Sequence, residues 1–504
     1  MLKKIRATAA GIVLILCTLL FLDFSGLTTR WFGWLARIQF LPAVLALNAA
    51  VAAVLIAVTL VFGRIYCSVI CPMGIFQDAV SHSFKGWRKR HKKFFSWSPE
   101  KKILRYGFLA AFIVLLAAGF TAMADLVAPY SAFGRMVHNL LSPVWLWGNN
   151  LCAWIAEKAG GYAFEHKEVW LRSLPTFLIA SATFVLITVL AARGGRTWCN
   201  TVCPVGTVLS FFSRFAIFRP VINTSRCKTC HLCERNCKAS CIDLKEHKVD
   251  YSRCVDCFNC IDTCKFGAME YKPFWKRPAS AGKEDKVNAS VQEESGVGRR
   301  AFISTAALTL GAAAIKAQEK KVDGGLAAVI GKKAPERTVP LVPFGASGVK
   351  DFYQHCTACQ LCVSQCPNGV LRPSSSLEHL MQPEMSYEKG WCRVECNKCS
   401  QVCPSGPIRP YSIEEKTMMH IGTAKVDPEL CVVNRDGVSC GNCARHCPAG
   451  AIMMVRKDPS DKDSLRIPAV NESRCIGCGA CEFLCPSRPI SAIKVNGLSE
   501  HKKD

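Results

Sequence analysis

The chain has 504 residues, 31 of them cysteine, and its Lys and Arg exceed its Asp and Glu by 25. Half of it is hydrophobic and a fifth is charged, less charge than the roughly 25% usual in soluble proteins. A mean hydropathy of +0.18 on so basic a chain requires that apolar and charged residues be segregated. That excludes a single soluble globule and a disordered basic protein, and the length excludes a small disulfide scaffold.

Four apolar runs, near 5–22, 41–62, 106–124 and 173–192, occupy the first 200 residues. Each approaches the roughly 20 residues that cross about 30 Å of hydrocarbon as a helix. Lys3, Lys4 and Arg6 precede the first run, and a dense basic loop from Arg64 to Arg105 follows the second. The loop after the third has only Arg135, Lys158, Lys167 and Arg172, and basic residues return at Arg193 and Arg196. By the positive-inside rule, the N-terminus and the loops after runs two and four face the cytoplasm. Trp31, Trp34, Trp97, Trp170 and Trp198 lie near run ends, where interfacial anchors belong. The uncharged stretch 136–155 contains Asn139, Pro143, Gly148, Asn149 and Asn150. It reads as an interfacial or re-entrant helix pair on the outer face rather than a span.

A polar, cysteine-rich segment occupies 223–271, and a Lys/Ser/Glu-rich linker follows over 272–298. Arg299 and Arg300 then precede an uncharged run, 301–315. It is short for a span but suits the apolar core of a twin-arginine export signal. The competing reading is a short membrane anchor. A second linker, 318–350, leads to a cysteine-rich domain over 351–495, with a tail over 496–504.

Of the cysteines, 24 fall into six groups of four. Cys227, Cys230, Cys233 and Cys237 have the spacing C-x2-C-x2-C-x3-C, and Cys254, Cys257, Cys260 and Cys264 repeat it. Three thiolates on one tight loop each reach one iron of a cube, and the fourth comes from the other run, as in two-cluster ferredoxins. Zinc knuckles use two C-x2-C pairs with a longer spacer, so a triple run favours iron–sulfur over zinc. Lys238 and Lys265 stand where that pattern has Pro, and Cys241 competes with Cys237 as a ligand. Four more groups end in Cys-Pro: Cys356, Cys359, Cys362 and Cys366; Cys392, Cys396, Cys399 and Cys403; Cys431, Cys440, Cys443 and Cys447; Cys475, Cys478, Cys481 and Cys485. Six [4Fe-4S] clusters are expected, with the pairing among the last four groups left open.

The runs near 41–62 and 173–192 end in GRIYCSVICPMG and GRTWCNTVCPVG, an internal repeat of the form G-R-x-aromatic-C-x3-C-P-x-G. Cys67, Cys71, Cys199 and Cys203 would sit at one depth, related by a pseudo-twofold. They suit a seventh metal centre, a redox dithiol site or a structural role, with Arg64 and Arg196 compensating thiolate charge. Cys17, Cys152 and Cys241 remain outside the patterns. His138, Trp145 and Trp147 lie in the outer segment. A histidine beside an apolar slot suits a quinol head group, and an interfacial aromatic belt is the plainer reading.

The expected fold is a membrane α-helical bundle of four spans over 1–222, with a fifth if 299–317 remains embedded. Two α+β ferredoxin-like iron–sulfur domains follow. The first 270 or so residues resemble the NapH family of membrane iron–sulfur proteins in their four runs, two C-x3-C-P motifs and two-cluster domain. Residues from about 299 onward resemble the NapG family of exported proteins with four [4Fe-4S] motifs. The resemblance implies a bacterial inner-membrane electron route from quinol to a periplasmic reductase or cytochrome. It puts 223–271 in the cytoplasm and 318–504 in the periplasm. The membrane half also resembles accessory proteins of metalloenzyme assembly, which implies an alternative: supplying electrons for maturation. Partners would be the membrane, the quinol pool and a periplasmic acceptor, with no nucleic acid.

Overall fold

The computed structural model describes the chain except 24–25, 162–163, 168, 170–171, 276–321, 324–326, 329, 462 and 504. Trp170, the Arg299–Arg300 signal and most of the first linker lie outside the described residues. The rest forms two compact units. The first comprises Met1–Ile12, Val54–Phe108 and Ser181–Lys320. The second comprises Val13–Ala53, Leu109–Ala180 and Lys321–Asp504.

Two helices, Leu2–Leu22 and Leu174–Gly194, are long and apolar enough to cross a membrane, at 21 residues each. The other two apolar runs form shorter helices than expected. The run 41–62 divides into Phe40–Leu45 and the 14-residue helix Ala49–Phe62. Leu47 takes a left-handed φ of 54°, and the Asn48 side chain accepts the Val51 amide at 3.2 Å, restarting the helix. The run 106–124 gives the 16-residue helix Lys102–Ala117, stopped at Gly119 with φ 82°. There the Phe120 amide bonds back to the Leu115 carbonyl at 2.9 Å.

The segment 136–155 is not a helix pair. Pro129–Met136, a π turn over Val137–Leu141 and Ser142–Lys158 form one uninterrupted helical run. Pro143 lacks an amide hydrogen and crowds the turn before it, and the widened π turn accommodates it. Asn150 accepts the Lys167 amide at 2.9 Å and donates to the Lys167 carbonyl at 2.8 Å, so it ties down the following loop. The first stretch of this run is buried, whereas Val144, Trp145, Leu151, Trp154 and Ile155 are exposed on the second.

In the first unit, Phe218–Ile222 pairs antiparallel with Met269–Pro273, and Ile242–Asp243 pairs with Lys248–Val249. The ferredoxin-like domain therefore begins a few residues before 223. In the second unit, Ile493–Lys503 pairs antiparallel with Met419–Val426. Residues 496–503 are strand, not tail. His501 is held by Nδ1 against the Ala346 carbonyl at 2.8 Å. Part of the expected second linker is also core: Leu341, Val342 and Phe344 are buried, and the Leu341 carbonyl accepts the Met385 amide. The short Pro-flanked apolar run there has no periodicity to mark it. Arg337 and Glu482 form a buried ion pair at 2.6 Å in the same unit. The other Glu482 oxygen accepts the Val495 amide, which anchors the C-terminal strand.

Candidate iron–sulfur and thiol sites

The two C-x3-C-P repeats interlock in the first unit. Gly63 and Gly195 end their preceding helices with φ 74° and 66°. The next residues, Arg64 and Arg196, are both fully buried, and each reaches into the other repeat. Arg64 Nη2 donates to the Cys199 carbonyl at 3.2 Å, and Arg196 Nη1 donates to the Cys67 carbonyl at 2.7 Å. Pro72 and Pro204 open the helices Pro72–Ser83 and Pro204–Ser213, where a missing amide costs nothing. The motif glycines follow from the crossing. A Cβ on Gly74 would stand 2.5 Å from Arg196 Nη1, and one on Gly206 would stand 2.8 Å from Arg64 Nη2.

Cys67, Cys71, Cys199 and Cys203 are all buried. They lie near enough to act on one another electrostatically. Burial pushes the thiols of Cys71 and Cys203 up, and the neighbouring thiols push them further. Arg64 Nη2 stands 3.9 Å from Cys67 Sγ, and Gln77 Nε2 donates to Cys199 Sγ at 3.2 Å. The surroundings are not symmetric. Asp78 pairs with Arg196 at 2.8 Å, Arg6 at 2.7 Å and Lys238 at 3.3 Å. Burial alone would raise its carboxyl, but these cations hold it well below the usual range. Arg64 instead bonds the Asn200 side chain and the Ser252 carbonyl, at 2.8 and 3.1 Å.

The same arginines touch the cysteine-rich segment. The Arg196 amide donates to the Lys238 carbonyl at 2.8 Å, next to Cys237. A Cβ on Gly63 would collide with the carboxylate of Asp256, between Cys254 and Cys257. The thiol site thus abuts the loops that carry Cys237 and Cys254–Cys257.

Cysteine sets line cavities of similar size. One of ≈ 400 Å³ is lined by Cys254, Cys257 and Cys260 together with Cys237 and Cys241. Cys237 and Cys241 stand 3.5 Å apart, so both competing thiols face this cavity. Cys227, Cys233 and Cys264 pack in the same core as Cys237, Cys241, Cys254 and Cys260. In the second unit, a cavity of ≈ 390 Å³ takes Cys392, Cys396 and Cys399 with Cys366, and one of ≈ 370 Å³ takes Cys431, Cys440 and Cys443 with Cys485. The reciprocal sets follow from mutual electrostatic influence: Cys403 acts on Cys356, Cys359 and Cys362, and Cys447 acts on Cys475, Cys478 and Cys481. Neighbouring groups therefore exchange their fourth cysteines, which is the donor arrangement a pair of cubanes requires. This resolves the pairing left open in the sequence: 356–366 with 392–403, and 431–447 with 475–485.

Sequence reasoning missed Lys416. It is fully buried, and Nζ donates to Cys392 Sγ at 3.2 Å and to the carbonyls of Arg393 and Cys396. A lone lysine in a Glu-Glu-Lys run gives no sign of this. It also missed Asp125 and Arg135, which are buried to 1% and 0% exposure. Their signal was available, as isolated charges beside apolar runs. Burial pushes Asp125 up and Arg135 down to about 10. His138 is buried as well, and burial with nearby Arg172 holds its ring well below its ordinary value. Trp145 is 48% exposed on the other stretch of that helical run, so the structure does not bury it with His138.

Residues 44–94 and 174–223, which hold the two repeats, match one family model, a 4Fe-4S binding domain. Residues 355–408 and 438–488 match models of 4Fe-4S dicluster domains; the first spans one exchanged pair, and the second covers the other except Cys431. The methylamine utilization ferredoxin-type protein MauM of Methylobacillus flagellatus is 30% identical over 165 residues, 32% of this chain and 70% of that protein. MauM of Paracoccus denitrificans is 30% identical over 194 residues, 38% of this chain and 83% of its own length. The ferredoxin-type protein NapG of Haemophilus influenzae is 29% identical over 168 residues, 31% of this chain and 58% of its own. The chain belongs to the MauM and NapG family of ferredoxin-type iron–sulfur proteins. It carries several 4Fe-4S domains, and the family supports a role in electron transfer.

Two outcomes test these sites. Cys403→Ser should abolish the cluster signal of the Cys356–Cys359–Cys362 set while the Cys392–Cys396–Cys399 set keeps its own. EPR of the reduced protein, compared with Cys366→Ser, reads the difference, and loss in the variant's own triplet would refute the exchange. Lys416→Met should lower the reduction potential of the Cys392 set. A hydrogen bond to a charged group is worth about 1.5–3 kcal/mol, and about 1.4 kcal/mol corresponds to roughly 59 mV for one electron. A redox titration should therefore show a drop of roughly 60 mV or more.

Proposed function

We propose that this protein is a membrane-bound carrier that accepts electrons from quinol and delivers them to a periplasmic reductase or cytochrome. The observation that carries this reading is the exchange of fourth cysteines between neighbouring groups. It brings the donors for two cofactors together in each exchanged pair, an arrangement for passing electrons along. When bound, each cubane takes up and releases one electron. The chain's own residues fix the six sites and place cations such as Lys416 at the thiolates.

Membrane attachment is supported by Leu2–Leu22 and Leu174–Gly194, which are long and apolar enough to span. We count Ala49–Phe62 and Lys102–Ala117 as two further, shorter spans, completed by the apolar turns next to them. The positive-inside pattern favours a cytoplasmic side for the repeats and 223–271, and the Arg299–Arg300 export motif favours the outside for 318–504. The relatives' names come from two systems: methylamine utilization for MauM and the Nap proteins for NapG. The acceptor is accordingly described by chemistry, as a periplasmic one-electron redox protein. A second reading, electron supply for the maturation of a metalloenzyme, draws on one observation: four buried thiols abut the loops of Cys237 and Cys254. Those thiols would hold a seventh metal centre or cycle between dithiol and disulfide.

Anaerobically purified protein in lipid nanodiscs should show cluster bleaching on addition of a reduced quinol. Reduction only by a cytoplasmic-type ferredoxin would favour the maturation reading. Iron analysis should give about 24 irons for six cubanes and about 28 for seven, at four irons each. A Cys67→Ser variant with an unchanged count would remove the seventh centre and leave the dithiol.

A further inference from the structure

We infer that Asp125 and Arg135, with His138 one helical turn on, form the polar site that binds the quinol head group in the second unit. This rests on the quinol-donor reading above and adds where the donor binds.

The helix Pro129–Met136 lies directly on the loop that carries the Cys356–Cys359–Cys362 triplet. Gly134 makes the approach possible, because a Cβ there would collide with the Cys359 carbonyl and stand 2.7 Å from the Phe21 ring. One turn on, Asn139 Nδ2 donates to Gln360 Oε1 at 2.9 Å. A group bound beside this helix is therefore next to a cofactor-binding loop.

The polar groups on that stretch are incompletely satisfied. Arg135 Nη2 donates to the main-chain carbonyls of Asp125 and Leu126 at 2.9 and 3.3 Å. Among the described residues its Nε and Nη1 have no partner, nor does Asp125 Oδ2, although both residues are buried and act on one another electrostatically. His138 Nδ1, three residues after Arg135, has none among them either. Leaving a buried charged group unmatched costs several kcal/mol, so these atoms are built for something that pairs with them. The missing partner must donate a hydrogen bond to a carboxylate and accept one from a guanidinium. It must also exchange electrons with the adjacent loop. The next stretch of the helical run exposes Val144, Trp145, Leu151, Trp154 and Ile155, an apolar face suited to lipid and to an apolar tail.

A quinol has these properties. Its hydroxyls donate while it is reduced, and its carbonyl oxygens accept once it is oxidised. Oxidation of one quinol to quinone releases two electrons and two protons. One proton passes to the Asp125 carboxylate, whose proton affinity burial raises, and one crosses the His138 ring to solvent water rather than staying on it, because burial disfavours the charged ring. Cys356, Cys359, Cys362 and Cys403 would hold the iron–sulfur centre that accepts the two electrons one at a time.

The test uses anaerobically purified full-length protein in nanodiscs. Heptylhydroxyquinoline N-oxide, a quinol analogue, is the binding probe, and menadiol is the reductant. Asp125→Asn and Arg135→Lys should each weaken probe binding by about tenfold, the effect of roughly one hydrogen bond. Both should slow menadiol-driven bleaching with iron content unchanged. An azidoquinone photolabel on the wild-type protein should map to 125–139, and this readout does not depend on any variant folding. Normal binding in both variants, or a label elsewhere, would overturn this site and leave quinol as donor, with ordered water filling the gap. Wild-type protein that neither binds the probe nor is bleached by menadiol would overturn the quinol reading itself.

Discussion

One geometric demand organises both cysteine-rich domains. A loop with cysteines three residues apart can occupy three corners of a cube, and the fourth corner faces away from it. A second loop must supply the remaining thiol, and because each loop needs the other, the exchange is mutual. The rest of each domain serves this exchange. The sheets are two-stranded ribbons that pin the loops. The core of the first domain is built largely from the thiols themselves, with Ile222, Ile242, Leu244 and Met269 around them. So little apolar material would hold a chain weakly, and binding of the cofactor supplies folding energy as it does in other small metal-dependent domains.

Burying so many thiolates has an electrostatic corollary. Negative charge taken out of water must be met by cations placed in advance, and the protein does this differently in its two units. In the first, Arg64 and Arg196 are threaded through the repeats, and Asp78 gathers Arg196, Arg6 and Lys238 into one buried network. In the second, Lys416 lies over the Phe344 ring and reaches one thiol alone. The formal excess of 25 positive charges is thus partly internal. Some of it answers the charge of the bound cofactors.

What could be read from the sequence divides by range of interaction. The cysteine triplets were legible because their geometry is local, three residues at a time. Their pairing was not, because it depends on which loops meet. The apolar runs were visible, but a window average conceals a single backbone reversal such as Leu47, or a glycine stop such as Gly119. Pro340 to Phe344 and the strand beyond 495 were missed because both are core pieces without a repeating pattern. The repeat itself announced Arg64 and Arg196 as partners of thiols, yet not that each serves the opposite copy. His138 was singled out for its chemistry, whereas Arg135 was counted only as a loop charge and Asp125 was overlooked.

The crossed arginines have the symmetry of an isologous contact, in which residue i of one copy meets residue j of the other and the reverse holds as well. Two separate chains meeting about a twofold axis make contacts of this kind. The two repeats therefore carry, inside one polypeptide, contacts of the kind a homodimer interface uses. An arginine of one repeat and a glycine of the other share one space, so a larger residue at either glycine must be answered by movement of the arginine across the pseudo-axis.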